Sequence, residues 1–369
     1  MTATGRHIAI VTSGLGAGGA ERVISLLASH LIANGNTVSV VTFDRHAAPI
    51  FHPLPPSVAL HRLGVAGPMR RVAVLRRRLA AIRPDLVVSL LTKINAIALV
   101  ATVGLKPRVI ACERNNPERQ HAHPAWNAAL RLLYRRATTI VCQTEASRRC
   151  LPHGVRDRVV VIPNPIEPFA IARADPPPPR LVAVGRLTHQ KGFDLLIAAF
   201  ARIAARHPNW RLDIWGEGED RERLQQLIDD FDMADRIALP GLSAQPGGWL
   251  ADAGAMVLSS RYEGFPNVLA EAMAAGLPVI ASDCAFGPAE LIEPERTGLL
   301  VPPEDVAALA TGLDRLLGDP ALRDRLGIGA QSAAVRFAAA PVLTRWERLI
   351  GDVLEASTRA ARLGVPHIS

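Results

Sequence analysis

Short apolar runs recur along the chain, separated by segments with helical spacing. "HIAIVTS" (7–13), "TVSVVTF" (37–43), "LVVSL" (86–90), "RVIACE" (108–113), "TTIVCQT" (138–144) and "RVVVIPN" (158–164) form a first series. Runs of this kind, without polar alternation, predict strands of a parallel sheet covered on both faces. Between the first two, residues 19–35 repeat apolar positions at helical spacing and stop at Gly35, a residue suited to a left-handed helix end. The stretch "NPIEPFAIARADPPPPR" (164–180) has six prolines and no period, and reads as a linker. A second series follows: "RLVAVGR" (180–186), "RLDIWG" (211–216), "IALPG" (237–241), "AMVLSSR" (255–261) and "PVIASD" (278–283). Helices are expected at about 192–206 and 219–233, and three more close the chain. The pattern predicts an α/β chain of two doubly wound Rossmann-like domains, with a ligand cleft between them at the carboxyl ends of the strands. Their bounds are set at 1–168 and 178–340.

Composition narrows the picture. At 369 residues the chain is long enough for two cores, and 49% hydrophobic with 21% charged residues excludes disorder. The longest uncharged apolar run, 94–105, falls short of the about 20 residues a bilayer span needs. The first residues lead directly into a strand-like run, so the expectation is a cytoplasmic chain without a secretion leader. Cys112, Cys142, Cys150 and Cys284 have no CxxC or metal spacing and read as free thiols. Charge is uneven. Residues 1–170 carry 22 Lys/Arg against 8 Asp/Glu, residues 171–369 carry 20 against 26, so +14 lies beside −6 within the net +8. The basic half includes "MRRVAVLRRRLAAIR" (69–83), an amphipathic helix with no aromatic residue. It is either a solvated face with snorkelling arginines or a patch for anionic lipid headgroups.

Three motifs carry candidate chemistry. "SGLGAGGAER" (13–22) is a glycine-rich turn from strand to helix, where Gly16, Gly18 and Gly19 would let backbone approach a phosphate. It departs from the dinucleotide fingerprint in spacing, and Thr42 and Phe43 stand where an acidic strand end is expected. "GRLTHQKGFDLLIAAF" (185–200) puts Arg186 and Lys191 at the carboxyl edge of a strand, where two cations suit a diphosphate. "RYEGFPNVLAEAMAAGLPVIASD" (261–283) holds Glu263 in a loop and Glu271 about one turn into the helix that starts at Pro266 or Asn267. On one helix, residues eight apart would lie roughly 80° from each other. Split between loop and helix, both can reach one crevice. Asp230 and Asp232, and the loop histidines His121 and His123, read as solvated surface groups.

These motifs, in this order, resemble the retaining glycosyltransferases of family 4, which have the GT-B architecture. "GGAER", "VIPNPI" and "EGFPNVLAEAMAAGLPVIASD" followed by "TGLLVPPED" extend the likeness over most of the chain. "CERNNPERQ" (112–120) is similar to a branch that adds hexoses to exopolysaccharide or lipid-linked chains. The resemblance implies that Arg186 and Lys191 neutralise the diphosphate of a nucleotide-sugar, most often a UDP-sugar, and that Glu271 binds its ribose. It places Glu263 beside the donor sugar and anomeric centre, and the amides of Gly264, Phe265, Pro266 and Asn267 at the sugar or β-phosphate; Pro266 offers only its carbonyl. Gly16, Gly18 and Gly19 would face the phosphates from the first domain. Relatives often have a first-domain histidine near the donor; here Glu113-Arg114-Asn115 fills the region, and Glu113 is the candidate catalytic contact. The resemblance further implies a first domain that binds acceptor, a second that binds donor, and a last helix (about 341–369) that crosses back to the first. It implies a lipid-linked or saccharide acceptor, no metal, no cofactor and no nucleic-acid partner; peripheral contact with the inner face of a membrane is an expectation that rests on the basic helix 69–83. A nucleotide-sugar 2-epimerase of the same architecture and a non-catalytic nucleotide-sugar-binding protein are the alternatives.

Overall fold

The structure is a computed structural model that describes residues 5–16, 18–114, 124–172, 174 and 176–362, the side chains of 124–127 and 356–362 excepted. The chain forms two compact units, Met1–Pro165 with Ala339–Ser369, and Ile166–Ala338.

In the first unit the strands are β1 (His7–Thr12), β2 (Thr37–Thr42), β3 (Ala59–Arg62), β4 (Leu86–Leu90), β5 (Arg108–Glu113), β6 (Thr139–Cys142) and β7 (Val159–Val161). They lie parallel in the order β3-β2-β1-β4-β5-β6-β7. The helices are α1 (Gly19–Ala33), α2 (Pro68–Ile82), α3 (Thr92–Ala101), α4 (Pro124–Tyr134), α5 (Glu145–Cys150) and, from the end of the chain, α12 (Ala339–Arg362). One face of the sheet packs Leu75, Leu79, Leu99 and Tyr134 from α2, α3 and α4. The other packs Ile24, Leu27 and Leu31 of α1 with Val342, Trp346 and Ile350 of α12. Burial on both sides is what makes the strands read as unbroken apolar runs.

Two elements escape that reading. Strand β3 is a short, half-exposed edge ("ALHR") with too few buried positions to leave a pattern. Helix α3 buries eight of its ten residues, so it has no polar stripe and shows only as an apolar run. No helix among the described residues is long and apolar enough to cross a membrane.

The second unit has β8 (Arg180–Val184), β9 (Arg211–Trp215), β10 (Ile237–Gly241), β11 (Ala255–Leu258), β12 (Val279–Ser282) and β13 (Leu299–Val301), all parallel in the order β10-β9-β8-β11-β12-β13. Its helices are α6 (Phe193–Ile203), α7 (Arg221–Asp230), α8 (Asn267–Ala274), α9 (Pro288–Leu291), α10 (Val306–Gly318) and α11 (Pro320–Ala334). Phe200, Leu224 and Leu313, from α6, α7 and α10, cover one face. Leu269 and Met273 of α8, with Ala330 of α11 and Phe337, cover the other.

Trp346 of the terminal helix is fully buried in the first unit's core. Trp346→Ala should therefore cost about 3–5 kcal/mol, read as a shifted urea midpoint for the phase that reports the first unit. A loss below about 1 kcal/mol, the range of an exposed site, would show that α12 is not part of that core.

Candidate active site

The order of the second sheet fixes where a ligand site can form. From β8 the chain winds outward through β9 to β10, then returns to β11 on the other side of β8. The connections after β8 and β11 therefore leave toward opposite faces, and the carboxyl edge between these two strands is the switch point of the sheet. The loop 185–192 and the loop 259–266 both start there.

The two loops are in backbone contact. The amide of Arg261 donates to Gln190 O at 2.8 Å, Ser259 Oγ to Lys191 O at 2.9 Å, and Gln190 Nε2 to Tyr262 O at 3.0 Å. Gly192 has φ +63°, and a Cβ there would come within 2.2 Å of Ser259 O, so the approach requires glycine. The Arg261 side chain, only 9% exposed, clamps the second loop onto the start of α6. Its fork donates to both Asp194 oxygens at 2.8 and 2.7 Å and to His189 O at 2.9 Å. Burial pushes the Asp194 carboxyl up, but the bonds and charge of Arg261 outweigh it, and Asp194 lies below its ordinary value. Arg261 Nε lies 3.5 Å from Glu304 Oε2 but is too poorly aligned for a hydrogen bond.

This framework brings Lys191 and Glu263 together. Lys191 Nζ donates to Glu263 Oε1 at 2.7 Å, and Ser260 Oγ donates to the same oxygen at 2.6 Å. The two side chains are 17% and 6% exposed. The Lys191 stem lies across Gly185, where a Cβ would meet Lys191 Cε at 3.0 Å. Cys284 is buried alongside, and desolvation pushes its thiol up to about 12, with the nearby Glu263 charge adding to the shift. A buried ion pair of this kind is held only if its remaining groups are satisfied, and Ser260 supplies part of that.

The other sequence candidates fall as follows. Arg186 is exposed, and its guanidinium has no hydrogen-bond or ion-pair partner among the described residues. Glu271 lies one turn into α8 and is 9% exposed. Pro266 caps the start of that helix, with half-buried Gly264 and Asn267 on either side of the Phe265–Pro266 pair. The Phe265 ring packs inward, edge-on to Phe337 at 5.7 Å, so it is the backbone of this loop that remains for a ligand.

In the first unit the same topology recurs, with the switch point between β1 and β4. The glycine-rich loop follows β1. A Cβ at Gly16 would meet nothing within 4 Å among the described residues, so no packing against them explains the glycine there. A Cβ at Gly18 would sit 2.3 Å from Glu21 Oε2, because that carboxylate folds back over the helix start. Gly19 is the first residue of α1.

Glu113 is placed differently from the other candidates. It ends β5 as the sequence indicates, but it is 2% exposed and both its oxygens are engaged. Thr92 Oγ1 donates to Oε1, and Tyr134 OH donates to Oε2 at 2.5 Å. Burial, and then the Glu113 charge, push the Tyr134 phenol well up, so it stays a donor. Glu113 thus ties β5 to α3 and α4 and is not open to substrate. Its neighbour Arg114 is buried as well and donates to Asn164 Oδ1 at 2.5 Å, an oxygen that also accepts from Gln143 Nε2 at 2.6 Å. Asn115, His121 and His123 lie outside the described residues.

Among the described residues no group of three or more His, Cys, Asp or Glu is placed to hold a metal ion. None of the four cysteines, all within the described residues, is in a disulfide. Ser260 and the Arg261–Asp194 fork are parts of the site that sequence reading missed. The only local signal was the "SSR" immediately before Glu263's loop.

Comparison with known proteins gives this geometry a family. Residues 17–168 match the family described as Glycosyltransferase Family 4, and residues 167–333 match Glycosyl transferases group 1. The exopolysaccharide phosphotransferase SCO2592 of Streptomyces coelicolor is 37% identical over 58% of this chain, which spans only 23% of that protein. The amylovoran biosynthesis glycosyltransferase AmsD of Erwinia amylovora is 26% identical over 90% of this chain and 96% of its own. The GalNAc-α-(1→4)-GalNAc-α-(1→3)-diNAcBac-PP-undecaprenol α-1,4-N-acetyl-D-galactosaminyltransferase of Campylobacter jejuni is 25% identical over 95% and 99%. Among solved structures, Anabaena HepE in complex with UDP and glucose superposes with a TM-score of 0.80 at 20% identity, over 94% of this chain and all of that one. Two parallel Rossmann-like units, each with its switch-point loop and matched in series by the two family models, place this chain among the GT-B glycosyltransferases of the group 1 and family 4 kind.

Proposed function

We propose that this glycosyltransferase moves a hexose from a UDP-sugar to a lipid-linked or polysaccharide acceptor, with retention at the anomeric carbon and without a metal. The observation that carries the reading is the Lys191–Glu263–Ser260 cluster at the switch point of the second sheet. HepE, of the same fold, holds UDP and glucose. The names of AmsD and of the Campylobacter enzyme support a polysaccharide or lipid-linked product.

On this reading the second unit binds the donor. An ammonium group has three N–H donors, and Glu263 takes one from Lys191, so the others can meet phosphoryl oxygens. Arg186, exposed and uncommitted, adds a planar fork for the same diphosphate. Glu271 would accept from the ribose hydroxyls. The backbone of 264–267 would hold the sugar or β-phosphate, and the Gly16–Gly18–Gly19 loop of the first unit would approach the phosphates. Glu263 then acts beside the sugar, its position fixed by Lys191 and Ser260. In the transfer, the bond from the anomeric carbon to the phosphate oxygen breaks and its electron pair leaves with the diphosphate. The acceptor oxygen bonds the same carbon, and its proton passes to the departing phosphate oxygen. Stabilising that leaving group is the main electrostatic task.

The pairing dictates how this is tested. Lys191→Ala alone strands a buried carboxylate, so its activity and stability effects mix. The double variant Lys191→Ala/Glu263→Gln removes both charges. It should melt near the parent temperature yet turn over UDP-sugar at least about 100-fold more slowly, the cost of losing a charge-bearing transition-state contact. Turnover near the parent level, with radiolabelled UDP-sugar and membrane lipid extract, would eliminate the diphosphate role.

Membrane contact through α2 is the second expectation, and the structure narrows it. Arg76 is committed to the end of α3, donating to Ala101 O at 3.1 Å and to Val103 O. Arg71 donates to Val65 O at 3.2 Å and lies over the Phe43 ring. Arg70, Arg77 and Arg78 remain exposed, next to Met69, which is 85% exposed. Reversing the charge of Arg70, Arg77 and Arg78 should abolish most binding to anionic vesicles at low salt. Unchanged vesicle binding would leave α2 as a solvated face.

A further inference from the structure

The second unit contains a cavity that shares no residue with the site above. Its origin is topological. The return from β10 to β11 crosses the sheet with a single 3-10 turn, Gly248–Leu250, where a doubly wound fold ordinarily lays a helix. Pro246, Gly247 and Gly248 interrupt this crossover. The β8–β10 part of the face that α8 and α11 cover elsewhere is left under-filled, and a cavity of about 340 Å³ opens there.

Its walls are chemically distinctive. Trp215 on β9, Trp249 of the crossover and Pro240 on β10 supply flat apolar surface. Arg180 on β8, Asp213 on β9 and Asp252 supply charge. Arg180 Nη1 donates to Asp213 Oδ2 at 2.7 Å, with the Asp213 side chain 8% exposed and that of Arg180 39% exposed. Asp252 is exposed, and its charge also acts on Arg180. Trp215 Nε1 is buried and has no hydrogen-bond partner among the described residues. Among the described residues one guanidinium against two carboxylates leaves the lining net negative, which disfavours a phosphate or nucleotide. A charged pair in the lining, with Asp213 buried and Arg180 part-exposed, disfavours an acyl chain. Ring-sized apolar walls rimmed by carboxylate acceptors and guanidinium donors match a pyranose, whose C–H faces stack on indoles and whose hydroxyls bond at the rim. The volume falls within the about 300–1,000 Å³ of small-ligand sites.

We propose that this cavity is a saccharide subsite that holds a neutral hexopyranose unit of a glycan outside the transfer site. Such a subsite would tether a glycan chain while its end is extended, and its existence does not depend on which donor the enzyme uses.

The test is retention of the full-length protein on an array of defined mono- to tetrasaccharides without nucleotide. The parent chain should retain at least one glycan class. Asp252→Ala, a change at an exposed side chain, should weaken that retention about tenfold or more, as expected for a lost hydrogen bond to a charged group. The same variant should bind UDP like the parent in a thermal-shift titration. Lys191→Ala/Glu263→Gln should retain the glycan like the parent. An array with no retained glycan, parent-level retention by Asp252→Ala, or retention lost in the Lys191/Glu263 variant would each overturn the proposal. Slow transfer in that last variant with intact retention would bear on the transfer reading alone.

Discussion

A lysine and a glutamate buried against each other at a sheet edge need support from every side, and the second unit is arranged to give it. Removing two charges from water costs several kcal/mol per ion unless their geometry and remaining bonds are good. Here Ser260 shares the accepting oxygen, Gly185 makes room for the Lys191 stem, and Gly192 lets the two loops touch. The Arg261–Asp194 fork then pins the second loop to the start of α6. None of this is possible unless β8 and β11 are neighbours, and the strand order makes them so. The winding of the sheet and the chemistry of its edge are one constraint.

That constraint explains what could be read from the residues alone. Central strands such as β1, β4 and β8 are buried on both faces and announce themselves as apolar runs. Strand ends followed by Gly, Lys or Glu then locate the ligand edge, which is why Lys191 and Glu263 stood out. Their bond to each other did not, because the partners are 72 residues apart and no local spacing records it. The Arg261–Asp194 fork, 67 residues apart, was hidden for the same reason. Glu113 shows the converse. A carboxylate at a strand end looks functional until Thr92 and Tyr134, both 21 residues away, are seen to occupy it.

Charge follows a similar division of labour. The excess of arginines in the first half reads as one basic surface, yet individual guanidiniums are spent on backbone carbonyls. Arg76 satisfies the open end of α3, as Arg62 does for the carbonyls of Arg45 and His46. Only the remainder can meet an anionic partner. In the second unit the same distinction separates Lys191, already paired, from Arg186, which has no partner among the described residues. It is the uncommitted or partly committed cation that can respond to a ligand.

On the proposed reading, the Lys191–Glu263 cluster is the donor diphosphate's seat. A crystal structure of the full chain with UDP tests it directly. The expected result is a phosphoryl oxygen within about 3 Å of Lys191 Nζ, the Arg186 guanidinium ordered on the same diphosphate, and the ribose at Glu271. UDP bound elsewhere, with Lys191 and Glu263 untouched, would contradict it.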